Sequence, residues 1–169
     1  TASDIVGVGG ILVLPSGNFV VSSFNWDNGG TVNAGAITFC NGTTGCNGNV
    51  SSVNSLVGGF PNDFVGNNGI TVLTNGNFVV RSTNWHSTIG AVTWCSGTTG
   101  CSGVVSDSNS LVGTEAGDFV GNGGVEALNN GNYVVGSSSW NNSGIADVGA
   151  VTWGNGTSGT SGEVSASNS

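Results

Sequence analysis

The sequence predicts an all-β fold built from three tandem, four-stranded antiparallel repeats. A unit of about 55 residues recurs three times. Within each unit, short runs of β-branched and aromatic residues are joined by turns rich in Gly and Asn, and no segment has helical periodicity. The 32 Gly do not indicate disorder, because 37% of the chain is apolar and includes five Trp and seven Phe.

Four short motifs recur in the same order in each unit. An Asp-x-Val-Gly motif is followed by a Gly-Asn-aromatic-Val-Val run, then by a Trp, then by a Gly-Ala-x-Thr-aromatic run. The first motif occupies residues 4–7, 63–66 and 118–121. The chain is therefore divided into repeat 1 (residues 1–62), repeat 2 (63–117) and repeat 3 (118–169).

The apolar runs of each unit are predicted to form two hairpins. In repeat 1, residues 11–14 and 19–23 are joined by a short turn, and the other two copies have Asn-Gly at this joint. Asn-Gly favours a type I′ turn because both residues tolerate positive φ. The second hairpin is predicted to run from residues 35–39 through 41–45 to 49–51. Four short strands with Gly-rich turns are typical of a β-propeller blade.

The arrangement of the blades has two interpretations. A propeller is the first prediction, although it needs about four to eight blades to close. A stacked, solenoid-like array of β layers is the alternative, since it needs no closure. Both ends of the chain fall at the same point of the repeat. We therefore expect a segment of a longer array, or two copies that together complete a ring.

The amino-acid sequences of the motifs resemble a known type of bacterial repeat. Residues 130–135 (Asn-Gly-Asn-Tyr-Val-Val), 149–153 (Gly-Ala-Val-Thr-Trp) and 109–113 (Asn-Ser-Leu-Val-Gly) are similar to the propeller-like repeats found in tandem in large secreted, haemagglutinin-like or adhesin-like bacterial surface proteins. The resemblance covers nearly the whole chain. It implies an extracellular or cell-surface location and supplies no catalytic residues.

The charge of the chain argues against several kinds of partner. Only 6% of the residues are charged, Arg81 is the one basic side chain besides histidine, and the formal net charge is -8. Binding to nucleic acid or to an anionic membrane surface depends on Lys and Arg, so we expect neither. Membrane insertion is not expected, because no apolar run reaches the roughly 20 residues that span a bilayer.

The four cysteines are predicted to form two disulfides, Cys40–Cys46 and Cys95–Cys101. Each pair brackets a five-residue turn of the second hairpin, where opposed Cα atoms lie ~4.5–5.5 Å apart. Repeat 3 has Gly154 and Thr160 instead, and the joint loss of both partners is what a bonded pair predicts. A zinc site is the alternative, but its paired ligands are usually about two to four residues apart. Disulfides indicate an oxidising compartment.

One acidic position recurs in all three units, at Asp4, Asp63 and Asp118. One interpretation is a calcium site completed by backbone carbonyls, but one carboxylate per unit is few for a cation that takes about six to eight oxygens. The favoured interpretation is an Asx-type turn, in which the carboxylate accepts backbone N–H bonds. No cofactor is then required.

The only histidine, His86, lies in a loop whose length differs between copies. A general base needs fixed partners, so we expect a solvated loop residue. No nucleophile, paired carboxylate or metal cluster recurs. The sequence therefore predicts a protein that is not an enzyme.

A Trp precedes the variable loop in every copy, at Trp26, Trp85 and Trp140. An exposed indole beside an Asn-rich loop is suited to stacking on a sugar. One Trp per blade is also typical of packing between neighbouring sheets. These three residues are the candidate glycan contacts.

Two functions are consistent with the sequence. The first is a non-enzymatic extracellular segment of a structural or adhesive surface protein, which associates with neighbouring repeats or with copies of itself through its repeat edges. The second is a lectin-like propeller with one carbohydrate site per blade.

Overall fold

The computed structural model describes residues 4–169. Repeat 1 contains β1 (Ile11–Val13), β2 (Phe19–Ser23), β3 (Ala36–Cys40) and β4 (Ser55–Val57). Repeat 2 contains β5 (Ile70–Val72), β6 (Phe78–Ser82), the helical turn α1 (Trp85–Thr88), β7 (Ala91–Cys95), β8 (Gly103–Val104) and β9 (Ser110–Val112). Repeat 3 contains β10 (Gly124–Ala127), β11 (Tyr133–Ser137), β12 (Ala150–Gly154) and β13 (Gly162–Glu163). The predicted all-β tandem repeat is confirmed.

The antiparallel part of each sheet follows chain order. Its strand orders are β1-β2-β3-β4 in repeat 1, β5-β6-β7-β9 in repeat 2 and β10-β11-β12 in repeat 3. The register is also the same in each copy. The central pairs are Val20 with Phe39, Val79 with Trp94, and Val134 with Trp153. The repeated Val-Val and Thr-aromatic runs therefore form the shared framework.

The first hairpin is present, but its turn is not type I′. In repeat 1 the Gly17 N–H donates to the Leu14 carbonyl (2.9 Å), and the Leu14 N–H donates to the Asn18 carbonyl (2.8 Å). Gly17 has a φ of 82°, whereas the Asn75 and Asn130 of the Asn-Gly pairs are not among the residues with positive φ. The connection is thus longer than two residues, and only its glycine needs the left-handed conformation.

The second hairpin was predicted wrongly. The segment after the disulfide turn does not fold back on the preceding strand, because the free edge of β3 is taken by β4 and that of β7 by β9. Instead, β8 lies parallel to β4 of repeat 1, and β13 lies parallel to β9 of repeat 2. The first two sheets therefore have five strands, the fifth contributed by the following repeat.

Neighbouring sheets pack face to face. One core cluster combines residues of repeat 1, such as Val20 and Ile37, with residues of repeat 2, such as Val80. A second cluster combines Val79 of repeat 2 with Val135 of repeat 3. Successive residues of a strand point to opposite faces, so the sheet of repeat 2 is buried on both sides.

The three sheets follow one another without closing. Within residues 4–169 the strand pairs form no closed barrel or propeller. The same part of the chain also contains no helix long and apolar enough to cross a membrane. What the structure establishes is three sheets of unequal strand number joined through two junctions.

Candidate functional site: the junctions between repeats

Each junction is closed by a strand that one repeat adds to the sheet of the repeat before it. After the parallel pairs β4–β8 and β9–β13, a backbone hydrogen bond continues each ladder. The Val105 N–H donates to the Val57 carbonyl (3.0 Å), and the Val164 N–H donates to the Val112 carbonyl (2.9 Å). The unpaired edge of the fourth strand is thereby covered, as sheet edges in stable proteins usually are.

The fourth strand also inserts a leucine into the next repeat. Leu56 and Leu111 are each 1% exposed. Each shares its core cluster with three valines that line what we call the leucine groove of the following repeat. These are Val65, Val80 and Val105 at the first junction, and Val120, Val135 and Val164 at the second. Burying a leucine side chain in such a site stabilises by roughly 1.5–3 kcal/mol.

An asparagine connects the turns of adjacent repeats. The Gly97 N–H donates to Oδ1 of Asn77 in the same repeat (3.0 Å), and Asn77 Nδ2 donates to the Gly156 carbonyl of repeat 3 (2.8 Å). Asn18 is bonded in the same way to Gly42 (3.0 Å) and Gly97 (3.2 Å). A carboxamide offers both an acceptor and a donor, and this position uses both.

Asn132 is the equivalent residue of repeat 3. Its Oδ1 accepts the Gly156 N–H (3.0 Å). We call Asn18, Asn77 and Asn132 the asparagine ladder. Sequence reasoning assigned these residues only to a turn. The signal that could have found their second role was that Asn follows the turn Gly in all three copies, although a hairpin turn does not require Asn there.

The aromatic residue of the third strand covers a glycine of the next repeat. Gly100 lies against Phe39, and Gly159 lies against Trp94, so that a side chain at either glycine would overlap the ring. Trp94 Nε1 also donates to the Gly156 carbonyl (2.9 Å). Glycine is therefore needed on one side of the junction for close approach, and an aromatic ring on the other.

The recurring aspartates brace the entry to each repeat. Asp63 is fully buried. Its Oδ2 accepts the N–H groups of Gly59 (2.9 Å) and Phe60 (2.8 Å), and its Oδ1 accepts that of His86 (2.8 Å). The buried Asp118 has equivalent donors in Thr114, Glu115 and Asn141. In repeat 1, Asp4 Oδ1 accepts the Asp27 N–H (3.2 Å).

The donors around these carboxylates have an electrostatic consequence. Burial raises the pKa of Asp63 above its ordinary value of 3.8, while its three backbone N–H bonds and the nearby His86 act in the opposite direction. In residues 4–169, no group of three or more His, Cys, Asp or Glu side chains is arranged to hold a metal ion. The Asx-type contacts are present, and calcium binding at Asp4, Asp63 and Asp118 stays a hypothesis.

The three candidate glycan contacts are buried in the core. Trp26, Trp85 and Trp140 are 8%, 6% and 6% exposed. Trp85 belongs to the core of the first junction and Trp140 to that of the second, while Trp26 packs with Ala36 and Val57 in repeat 1. A sugar could reach only an edge of these rings. Glycan contact stays a prediction.

One of these edges, that of Trp85, borders a cleft that residues of all three repeats line. The cleft is lined by Trp85, His86, Phe60, Asp107 and Glu163, among others. The rings of His86 and Phe60 stack in parallel with their centroids 4.3 Å apart. His86 is therefore held against an aromatic neighbour, whereas the sequence predicted a solvated loop residue.

Both predicted disulfides are present. Cys40 is bonded to Cys46 and Cys95 to Cys101, with Cα–Cα distances of 4.7 and 5.0 Å. The chain's cysteines are all bonded in this way. Cys95–Cys101 closes the turn that leads into β8, the strand that joins the sheet of repeat 1, and Cys40–Cys46 closes the equivalent turn before residues 48–50.

Comparisons with known proteins identify the repeat and nothing beyond it. A family model described as "Repeat of unknown function (DUF5650)" matches residues 13–67, 72–122 and 127–169. No curated protein and no solved structure matches the chain. The three matched stretches correspond to the three sheets.

Proposed function

This chain belongs to the repeat family of unknown function DUF5650, and we propose that it is a non-enzymatic, extracellular structural or adhesive array whose working parts are its junctions. The observation that carries the proposal is the contributed strand: each of the first two sheets is completed only by the next repeat. A chain built in this way holds its repeats in fixed relative positions, as a spacer or fibre segment requires.

The chemistry of the surface supports an extracellular location. Two disulfides are expected to persist only in an oxidising compartment. With 6% charged residues, the chain offers few sites to proteases that cut at Lys or Arg. A bacterial cell-surface origin, with an adhesin-like role, is part of this proposal and rests on the motifs.

The overall arrangement is proposed to be either a closed propeller formed with further repeats or an open stack. The junction geometry fits both, because the same contact recurs at each step. Electron microscopy of the purified chain distinguishes them. Discrete rings are the expected result for a propeller, and extended fibres for a stack.

Hydrogen exchange tests the structural proposal directly. If the array is rigid, the Val105 and Val164 amides, which bond across the junctions, should exchange as slowly as the Val79 amide inside a sheet. Slow exchange reports burial in a cooperative unit. Exchange of the two junction amides within seconds, with Val79 still protected, would show that the three repeats are independent domains with flexible connections. That result would contradict the proposal.

Carbohydrate binding is the second candidate, and the cleft beside Trp85 is the observation that favours it. Its stacked His86–Phe60 pair and the carboxylates of Asp107 and Glu163 combine an apolar platform with hydrogen-bond acceptors. A glycan array should then show binding that His86→Ala and Glu163→Gln weaken at least about tenfold. Unchanged binding in both variants would exclude this cleft. Trp85 is left intact because it is part of the core.

A further inference from the structure

We propose that the outer face of repeat 1 carries an open leucine groove that binds the fourth strand of another repeat of the same kind. The ligand is an extended Ser-Leu-Val segment like β4 or β9. The inference rests on the proposed function and identifies the site through which the array is extended. It follows from comparing this face with the two junctions that the chain has already filled.

The groove has the same lining as its filled counterparts. A cavity of about 150 Å³ on repeat 1 is bordered by Val6, Val21 and Val50, with Thr38 and Asn54 at its polar edge. The three valines occupy the same places in the repeat as Val65, Val80 and Val105, and as Val120, Val135 and Val164. At both filled grooves the occupant is a leucine.

Exposure shows that the groove of repeat 1 is open. Val6 is 60% exposed, whereas its equivalents Val65 and Val120 are 0% exposed. The difference comes from the preceding repeat, which covers the latter two. Removing an apolar side chain from water is favourable, so the open groove favours an apolar occupant.

The backbone beside the groove is already shaped for a parallel partner. Residues 48–50 correspond to β8 and its following valine, and Gly48 has a φ of 86°, against 105° for Gly103. Asn54 Nδ2 donates to the Asn49 carbonyl (2.9 Å), and at the filled junction Asn109 Nδ2 donates to the Val104 carbonyl at the same distance. The strand edge is therefore held in its bound conformation without its partner, which lowers the entropic cost of binding.

The remaining contacts select another repeat in preference to an unrelated peptide. Gly100 and Gly159 each leave room for the aromatic ring of the preceding repeat. Gly45 is the equivalent glycine in repeat 1, and a Cβ placed there would meet nothing within 4 Å. Among the described residues that line the groove, none has a charged side chain. A leucine in the groove and an aromatic ring over Gly45 are the pair of anchors that a DUF5650 repeat presents.

A chain with a completed fourth strand on repeat 3 tests the proposal. Ser169 Oγ already lies 2.6 Å from Thr152 Oγ1, as Ser110 Oγ does from Thr93 Oγ1 at 2.7 Å. Adding Leu-Val-Gly-Gly after Ser169, which copies residues 56–59, should give molecules that associate head to tail. In sedimentation velocity their mass should rise with concentration over about 1–500 μM. The matched extension Asp-Val-Gly-Gly should not associate.

Two substitutions in the Leu-extended chain locate the contact. Val6→Asp, in the groove, should weaken association at least tenfold. Val53→Asp should leave it unchanged, because Val53 is 86% exposed and its equivalent, Ser108, stays exposed between two neighbours. Association of the Asp-extended chain, or insensitivity to Val6→Asp, would show non-specific edge pairing and overturn the proposal.

A peptide titration keeps the test independent of the extension. A capped peptide of residues 108–114 added to the natural chain should shift the NMR amide signals of Gly48, Asn49 and Val50, and the same peptide with Leu111→Asp should not. A monomeric Leu-extended chain together with unshifted signals would overturn the groove. If the groove fails this test but the Val105 and Val164 amides are protected from exchange, the proposed structural function still holds. Rapid exchange of these two amides would overturn that function.

Discussion

The ring of Tyr133 occupies the space that a side chain at position 154 would need. The two residues face each other across β11 and β12, and a Cβ on Gly154 would overlap the ring. In repeat 2 the same positions hold Phe78 and the disulfide-bonded Cys95. Repeat 2 therefore accommodates a Phe ring beside a cysteine, whereas in repeat 3 the Tyr133 ring lies where the cysteine side chain would be, which couples the residue types at the two positions.

This coupling predicts when a third disulfide can form. Gly154→Cys with Thr160→Cys in a Tyr133→Phe background should oxidise to a bond and raise the free energy of unfolding by about 2 kcal/mol. The same two cysteines with Tyr133 retained should be strained and lower the stability. Thiol titration and urea unfolding check both variants. Equal oxidation in the two backgrounds would contradict the coupling.

The asparagine ladder predicts unequal costs for one substitution at two positions. Asn77→Ala removes a bond within repeat 2 and a bond to repeat 3, so it should cost about 2 kcal/mol. Within residues 4–169, Asn132→Ala removes one side-chain hydrogen bond, the one that Oδ1 accepts from the Gly156 N–H. It should lower the free energy of unfolding by about 1 kcal/mol. Urea unfolding measures both. Equal losses would mean that the contact between repeats contributes nothing.

The buried Asp63 predicts a large loss on truncation. Asp63→Ala leaves the N–H groups of Gly59, Phe60 and His86 without their acceptor and should lower the free energy of unfolding by about 3 kcal/mol. Asp27→Ala is a suitable comparison, because Asp27 is only partly buried, whereas Asp63 is fully buried. Thermal unfolding compares them. A smaller loss for Asp63→Ala than for Asp27→Ala would contradict the bracing role.

The raised pKa of Asp63 predicts the sign of a pH effect. The folded state binds the Asp63 proton more tightly than the unfolded state, so this group stabilises most when protonated. Its contribution should fall as the pH rises from the ordinary pKa of 3.8 through the raised folded pKa, and stay constant above it. The stability difference between the natural chain and Asp63→Asn, followed from pH 3 to 8, isolates this group. A difference that grows with pH would contradict the assignment.

The short loop of repeat 2 predicts a stabilising substitution. His86, Ser87 and Thr88 have φ values of 48°, 58° and 72°, in the left-handed region that costs a non-glycine residue about 1 kcal/mol. Ser87 is exposed, so Ser87→Gly should raise the free energy of unfolding by up to about 1 kcal/mol. Thr88→Gly should gain less, because Thr88 Oγ1 accepts the Gly117 N–H (3.1 Å). Calorimetry compares the two variants.

The framework of each sheet was predictable, because period-2 apolar runs and Gly-rich turns are local signals. Val20 and Phe39 belong to such runs, and they pair as the order of the hairpins requires. The disulfides were predictable for a similar reason, since the joint loss of two cysteines in one copy reports a contact between them.

The junctions were not predictable in the same way. Residues 103–104 join the sheet of the preceding repeat. Nothing in the local sequence distinguishes such a segment from one that pairs within its own sheet, because the pairing depends on which strand edge is free. The burial of Trp85 was also hidden, since an indole before a loop looks the same in sequence whether it is exposed or packed into the core. Contacts between repeats form only when the sheets pack against one another, and the sequence of a single repeat does not indicate them.

The parallel strand that completes each sheet gives the array a direction. β4 is synthesised well before its partner β8, so the first sheet keeps an open edge until the second repeat has emerged and folded onto it. Folding would then advance from the amino-terminal end one unit at a time, each new unit locking the one before it. Pulling on the carboxyl-terminal end would unfold the units in the reverse order, because each unit is stabilised by a strand of the unit that follows it.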